Sequence, residues 1–188
     1  MKENPIIIGF DDATFNLNSN HKTTELIGVV CQGVRLINVV KAEIDIDGSN
    51  STEKLIELVK QNEKHVQFIF THTITFGGFN IVNLQRIYNK FNKPIIAINE
   101  STVNLEAVIK ALKKKFPNYY KEKIQNIVNA GDLYHTCIQT AGGLSEIYFH
   151  KKGLKLDEID SLLQKICIDS KLPECLRIAH IIGKLFSE

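Results

Sequence analysis

Residues 6–12 read Ile-Ile-Ile-Gly-Phe-Asp-Asp, and this apolar run indicates how the rest of the chain is built. A continuous apolar stretch that ends in charge is typical of a strand covered on both faces. We therefore predict a central strand with Asp11 at its carboxyl end. Because neighbouring residues of a strand point to opposite faces, Asp11 and Asp12 should not serve one site, and we favour Asp11.

The segments that follow predict a mixed sheet. Residues 25–32 and 35–46 are rich in Val and Ile and are separated by a Gly-containing turn, which indicates an antiparallel meander of three strands. Helical spacing then alternates with short strands near residues 66–70 and 95–98, and the end of the chain is mostly helical. We expect an α/β fold in which the antiparallel three-stranded meander is followed by parallel strands with flanking helices.

The composition supports a single domain over residues 1–188. With 44% hydrophobic and 23% charged residues, the chain can bury a core and does not have the composition of disordered or collagen-like proteins. The formal charge is only +2, so the overall charge gives no argument for a nucleic-acid partner. Any nucleic-acid site must therefore be local.

The sequence also predicts the compartment. Its longest apolar stretches are far shorter than the ~20 residues of a membrane helix, and its N-terminus lacks the pattern of a signal peptide. We expect a cytoplasmic protein without a membrane partner, and the oligomeric state stays open. The four cysteines have no C-x-x-C spacing and are expected to be reduced core thiols; they are Cys31, Cys137, Cys167 and Cys175.

Three loops follow the parallel strands, at residues 11–15, 71–80 and 99–104. Ligands of α/β sheets bind at this edge of the sheet. In the second loop, Gly77 and Gly78 stand between two phenylalanines, and we read them as lying immediately before a helix. Glycines there can expose backbone N–H groups beside the positive end of a helix, which predicts an anion site. The alternative is a tight turn packed by the two phenylalanines.

Two histidines are candidates for chemistry. His72 is expected beside the strand that ends at Asp11, so the two side chains could share a divalent metal. One carboxylate with one imidazole is a poor magnesium site but suits manganese, iron or zinc. A hydrogen-bonded structural histidine is the alternative. On the last helix, Arg177 and His180 share a polar face that could meet a phosphate backbone, although solvated faces have the same pattern.

Three stretches together resemble a known family. Residues 8–12, 74–80 and 171–180 are similar to an archaeal family of uncharacterised proteins called domain of unknown function ninety-nine, which is similar in turn to endonuclease V. The resemblance covers nearly the whole chain and implies a ribonuclease-H-like fold. It also implies cleavage of nucleic acid near deaminated purines with magnesium or manganese.

By this resemblance, Asp11 keeps the first metal ligand and Asp47 is a loose stand-in for the second. His72 stands where relatives carry the Asp of an Asp-Gly pair, and residues 139–143 lack the histidine that endonuclease V has there. Two-metal cleavage needs clustered carboxylates, so this departure weakens the nuclease inference.

Three hypotheses remain after the sequence is read. The first is a metal-dependent endonuclease with Asp11, Asp47 and His72 as catalytic residues, of which Asp11 and His72 hold the metal. The second is a nucleic-acid-binding protein that has lost catalysis, and the third is an enzyme acting on a small phosphorylated ligand. The residues expected to contact the ligand are Gly77, Gly78, Asn80, Arg177 and His180.

Overall fold

The computed structural model describes residues 3–16 and 21–186, and its centre is a seven-stranded sheet. The strands run in the order β3-β2-β1-β4-β7-β9-β8, and β5 and β6 form a separate two-stranded hairpin. The strands are β1 (Ile6–Asp12), β2 (Thr23–Gln32), β3 (Arg35–Asp45), β4 (Phe68–His72), β5 (Thr75–Phe76), β6 (Asn80–Ile81), β7 (Ile95–Asn99), β8 (Tyr134–Thr140) and β9 (Gly143–Lys152).

The pairing of the strands confirms the predicted fold class. Strands β1, β2 and β3 form the antiparallel meander, while β1, β4 and β7 run parallel to one another. Strand β1 lies between β2 and β4, as the apolar run predicts. Strands β9 and β8, expected as short strands or extended loop, instead form a hairpin antiparallel to β7, so the far edge of the sheet is antiparallel as well.

Helices cover both faces of the sheet, which is why β1 is apolar throughout its length. One face packs against α1 to α4 and the other against α5 and α6. Ile7 and Ile8 point to opposite faces, and both are fully buried; each contributes about 1.5–3 kcal/mol of burial free energy. The helices are α1 (Ser51–Gln61), α2 (Leu84–Phe91), α3 (Leu105–Lys115), α4 (Tyr120–Ala130), α5 (Leu156–Ile166) and α6 (Glu174–Gly183). Among the described residues, no helix combines the length and apolar character needed to cross a membrane.

Helix α6 packs directly against the backbone of β1, and Gly9 makes this contact possible. A Cβ atom at Gly9 would lie 2.6 Å from Cys175 Sγ, closer than two such atoms can approach. Asp11 is two residues further along β1 and therefore points to the same face as Gly9. The close contact thus brings the middle of α6 beside Asp11.

The cysteines are mostly as expected. Cys31, Cys167 and Cys175 are buried thiols, and burial raises the pKa of each. The expectation is wrong for Cys137, which is exposed. It lies on edge strand β8, where alternate side chains point away from the core.

Candidate functional site

Three polar side chains meet at the carboxyl edge of the sheet. Asp11 ends β1, His72 ends the neighbouring strand β4, and His180 comes from α6. The Nδ1 atom of His72 lies 3.1 Å from Asp11 Oδ1, and that of His180 lies 3.0 Å from Asp11 Oδ2. One ligand atom from each residue lies within 4.8 Å of the other two. The structure therefore brings together the predicted pair, Asp11 and His72, and adds His180.

Strand register explains how Asp11 and His72 come to face the same way. In the parallel ladder Phe10 lies opposite Thr71, so the next residue of each strand points to the α5 and α6 face. The centre opens into a cavity of about 310 Å³, lined also by residues 12–15 and by Thr73.

Burial and hydrogen bonding define the electrostatics of this centre. The Asp11 side chain is almost fully buried, and Oδ1 also accepts a hydrogen bond of 3.0 Å from the backbone N–H of Asp12. Burial acts to lower the pKa of His72. The hydrogen bond and charge of Asp11, with the charges of Glu100 and Asp12, outweigh it and raise the pKa above its usual value. Glu100 reaches the other ring nitrogen of His72 at 3.4 Å.

The donor set fits a transition-metal ion better than magnesium. Two ligand atoms in adjacent positions around an ion, each about 2.1 Å from it, are about 3.0 Å apart. The two contacts between Asp11 and the histidines have this length. One carboxylate with two imidazoles suits manganese, iron or zinc, whereas magnesium prefers oxygen ligands.

Asp12 faces the opposite side of the sheet, as the alternation of β1 predicts. Its Oδ2 accepts a hydrogen bond of 2.7 Å from the backbone N–H of Gly77. Burial is the main cause that raises the Asp12 pKa, from 3.8 to about 6; the Gly77 hydrogen bond lowers it, and the charge of Asp11 raises it further. Asp12 therefore stabilises the glycine loop but is costly to ionise.

Asp47, predicted as a catalytic carboxylate, lies outside the cluster of Asp11 and the histidines. Its backbone is in the left-handed region at φ 58°. Its Oδ1 accepts a hydrogen bond of 2.9 Å from the N–H of Phe79, and its Oδ2 pairs with Lys115. In this structure Asp47 thus joins the loop before α1 to the glycine loop and α3. Its catalytic role stays a prediction.

The glycine loop differs from the expected turn before a helix. Residues 75–81 form the β5–β6 hairpin, and α2 begins only at Leu84. Protein carboxylates already accept from this loop, since Asp12 binds Gly77 and Asp47 binds the residue after Gly78. These contacts take the place of the external anion that we expected. Gly78 has φ +82°, and a Cβ there would lie 2.6 Å from Asp47 Oδ1.

Asn80 and Arg177, predicted to contact a ligand, both bind within the protein. Asn80 is fully buried; its Oδ1 accepts from the N–H of Ser51 at 3.0 Å, and its Nδ2 donates to Asp45 O at 2.9 Å. Arg177 donates to both oxygens of Glu174 at 2.8 and 2.6 Å. The hydrogen bond to Glu174 is the main cause that raises the Arg177 pKa. Ligand contact by these two residues stays a prediction.

One further polar residue at this edge escaped the sequence analysis. Asn99 ends β7, beside His72 on β4, and is buried. The argument that singled out Asp11 and His72, the convergence of strand ends, applies to Asn99 as well. Its residue type alone drew no attention, because an Asn at a strand end is an ordinary turn residue.

Comparison with known proteins places this geometry in a family. The model of a family described as Endonuclease dU matches residues 5–187. A UPF0215 protein from Methanocaldococcus jannaschii is 36% identical over 188 residues, which cover 99% of this chain and 96% of the relative.

Two solved structures are similar to the chain. A protein of unknown function from Archaeoglobus fulgidus has a TM-score of 0.81 and 26% identity, covering 95% of this chain and 96% of the other. Endonuclease V from Ciona intestinalis, in complex with a 24mer DNA containing an inosine followed by a ribo-adenosine, has a TM-score of 0.57 and 12% identity, covering 94% and 83%. The second likeness shows that the two proteins share the ribonuclease-H-like fold.

Proposed function

Because the chain belongs to the endonuclease dU family, we propose that it hydrolyses phosphodiester bonds of nucleic acid with a divalent metal held by Asp11, His72 and His180. The observation that carries this proposal is the meeting of these three side chains beneath an open cavity at the carboxyl edge of the sheet. This edge is where α/β sheets bind their ligands. The endonuclease V structures are a second, independent support for nucleic acid as the partner.

The residues of the chain have distinct parts in the proposed reaction. Asp11 would supply the carboxylate ligand, and its two oxygens orient both imidazole rings. A bound manganese ion would polarise a phosphoryl oxygen and lower the pKa of an attacking water. Glu100 is half exposed beside His72 Nε2, where it can accept a proton at the margin of the cavity.

The substrate that we propose is DNA with a deaminated base. The family description names an endonuclease of dU, which we take as deoxyuridine, and the Ciona endonuclease V was solved on DNA with an inosine. Uracil and hypoxanthine are the deamination products of cytosine and adenine. We therefore expect cleavage close to such a base.

Cleavage of a labelled oligonucleotide tests the proposal. The strand carries one deoxyuridine and is incubated with the protein in manganese or in magnesium. We expect cutting in manganese that is lost in Asp11→Asn and retained in His135→Ala, a matched histidine control that is exposed on β8. Equal cutting by Asp11→Asn would refute the proposed centre.

A second candidate function has one specific observation in its favour. Asp11 is the only carboxylate of the cluster within the described residues, whereas two-metal cleavage needs several. A protein that binds such DNA without cutting it would show tight, metal-independent binding and intact strands in the same assay. That outcome would favour the non-catalytic function.

A further inference from the structure

A second, larger cavity lies beside the metal centre. It has a volume of about 630 Å³ and shares one wall residue, Thr73, with the cavity above Asp11. Thr73 has φ 62°, a strained conformation for a β-branched residue. Its N–H donates to the carbonyl of Ile98 at 2.7 Å, which fixes the wall to the end of β7. The second cavity therefore opens next to the site where we propose that the phosphodiester is cut.

The walls of this cavity are mainly apolar. They come from the glycine loop, from the segment after β7 and from α3 and α4, and include Ile74, Phe79, Val103, Val108, Ile127 and Leu133. Such walls suit an uncharged, flat group, and the volume lies in the range of small-molecule sites. A phosphate or another free anion would find no cationic side chain among the lining residues of this cavity.

Asn99 is the first polar group in the wall. Its side chain is about 95% buried, and its Oδ1 atom has no hydrogen-bond partner among the residues that the structure describes. A buried amide oxygen without a partner is rare and lowers stability. At the edge of a ligand-sized cavity, it indicates a polar group that arrives with a ligand.

His150 is the second polar group, and its hydrogen bonds define its tautomer. The Nδ1 atom lies 3.0 Å from Gly131 O and 3.1 Å from Asp132 O. Because carbonyl oxygens only accept, Nδ1 carries the hydrogen of the neutral ring, and Nε2 is left as an acceptor. Burial is the main cause that lowers the His150 pKa, so the neutral form prevails at neutral pH.

Asn99 and His150 project from the same face of the sheet. Strand β9 pairs with β7 so that His150 lies opposite Ala97, two residues before Asn99. Diagonal neighbours of this kind are within reach of one flat ligand. Together they offer an amide, which both donates and accepts, and a fixed ring acceptor.

We propose that this cavity receives an unpaired nucleobase and that Asn99 and His150 recognise an N–H group next to a C=O group on its edge. Uracil and hypoxanthine present this edge, whereas cytosine and adenine have a ring acceptor in place of the N–H. The inference rests on the proposed function, since the adjoining centre would cut the strand that carries the base. Enzymes that act at a base commonly take it out of the stack into such a pocket.

Binding without cleavage tests this inference separately from the reaction. Fluorescence anisotropy is measured in EDTA with single-stranded oligodeoxyadenosine that carries one central deoxyuridine, deoxyinosine or deoxycytidine. We expect the first two to bind roughly tenfold more tightly than the third, as for one well-placed polar base contact. Equal affinities for the three strands would overturn the inference even if the protein cleaves DNA.

A chemical probe and a variant assign the preference to the proposed contact. A strand with N3-methyldeoxyuridine lacks only the N–H group and should bind like the deoxycytidine strand. Asn99→Leu should lose the preference for deoxyuridine while its melting temperature rises, because the unpaired amide is removed. Asn89→Ala, an exposed asparagine on α2, should keep the preference. Unchanged binding of the methylated strand, or an unchanged preference in Asn99→Leu, would refute the role of this contact.

Discussion

Replacing Asp12 by Asn should stabilise the protein at neutral and alkaline pH. The Asp12 carboxyl has a pKa of about 6 in the folded protein, against 3.8 for an ordinary aspartate, mainly because burial disfavours its charge. The folded state therefore binds the proton more tightly than the unfolded chain does. The resulting stability is fully present below pH 3.8 and is lost as the pH rises through about 6.

The size of the effect follows from the two pKa values. A difference of one pH unit corresponds to about 1.4 kcal/mol. The change from 3.8 to about 6 therefore costs at most about 3 kcal/mol of unfolding free energy once the carboxyl is ionised. Asparagine keeps an oxygen that can accept the hydrogen bond from Gly77 but has no charge to bury.

Urea unfolding in EDTA between pH 4 and pH 8 measures this difference. The stability of Asp12→Asn minus that of the wild type should be near zero at pH 4 and reach about 2–3 kcal/mol at pH 8. Asp132→Asn, on an exposed loop, provides the matched control. A difference that does not change with pH, or a less stable Asp12→Asn at pH 8, would refute the reasoning.

Three further substitutions test other parts of the account. Lys123 is buried, and its ammonium donates to three backbone carbonyls, so Lys123→Met should lower the free energy of unfolding by about 2–4 kcal/mol in urea; a change below about 1 kcal/mol would count against this role. Gly78→Ala should cost about 1–3 kcal/mol by thermal unfolding, because the new Cβ would contact Asp47 at a positive φ, and a variant as stable as the wild type would contradict that strain. His72→Asp should bind magnesium more tightly in a calorimetric titration, since it adds a second carboxylate beside Asp11; unchanged magnesium affinity would show that His72 is not at the metal.

The sheet and half of the candidate centre follow from local sequence patterns. The apolar run of β1 places Asp11 at a strand end, and the spacing of strands places His72 next to it. Both inferences use only the rule that parallel strands end at one edge. For this reason the fold class and the closeness of Asp11 to His72 were predictable.

The remaining features depend on contacts between distant residues. His180 was predicted on a polar helix face, but its contact with Asp11 requires α6 to approach β1 at Gly9. The N–H of Gly77 was expected to be free for an anion, yet it binds a carboxylate 65 residues away. Neither pairing leaves a periodic signal in the sequence, because each is set by how whole elements pack.

The central claim is that Asp11, His72 and His180 form a metal centre, and crystals grown with manganese test it most directly. An anomalous-scattering map should show a peak about 2.1–2.3 Å from an oxygen of Asp11 and a nitrogen of each histidine. The same crystals of His180→Ala should show a weaker peak or none. A map with no peak between these side chains, or with manganese bound elsewhere along the sheet edge, would contradict the account.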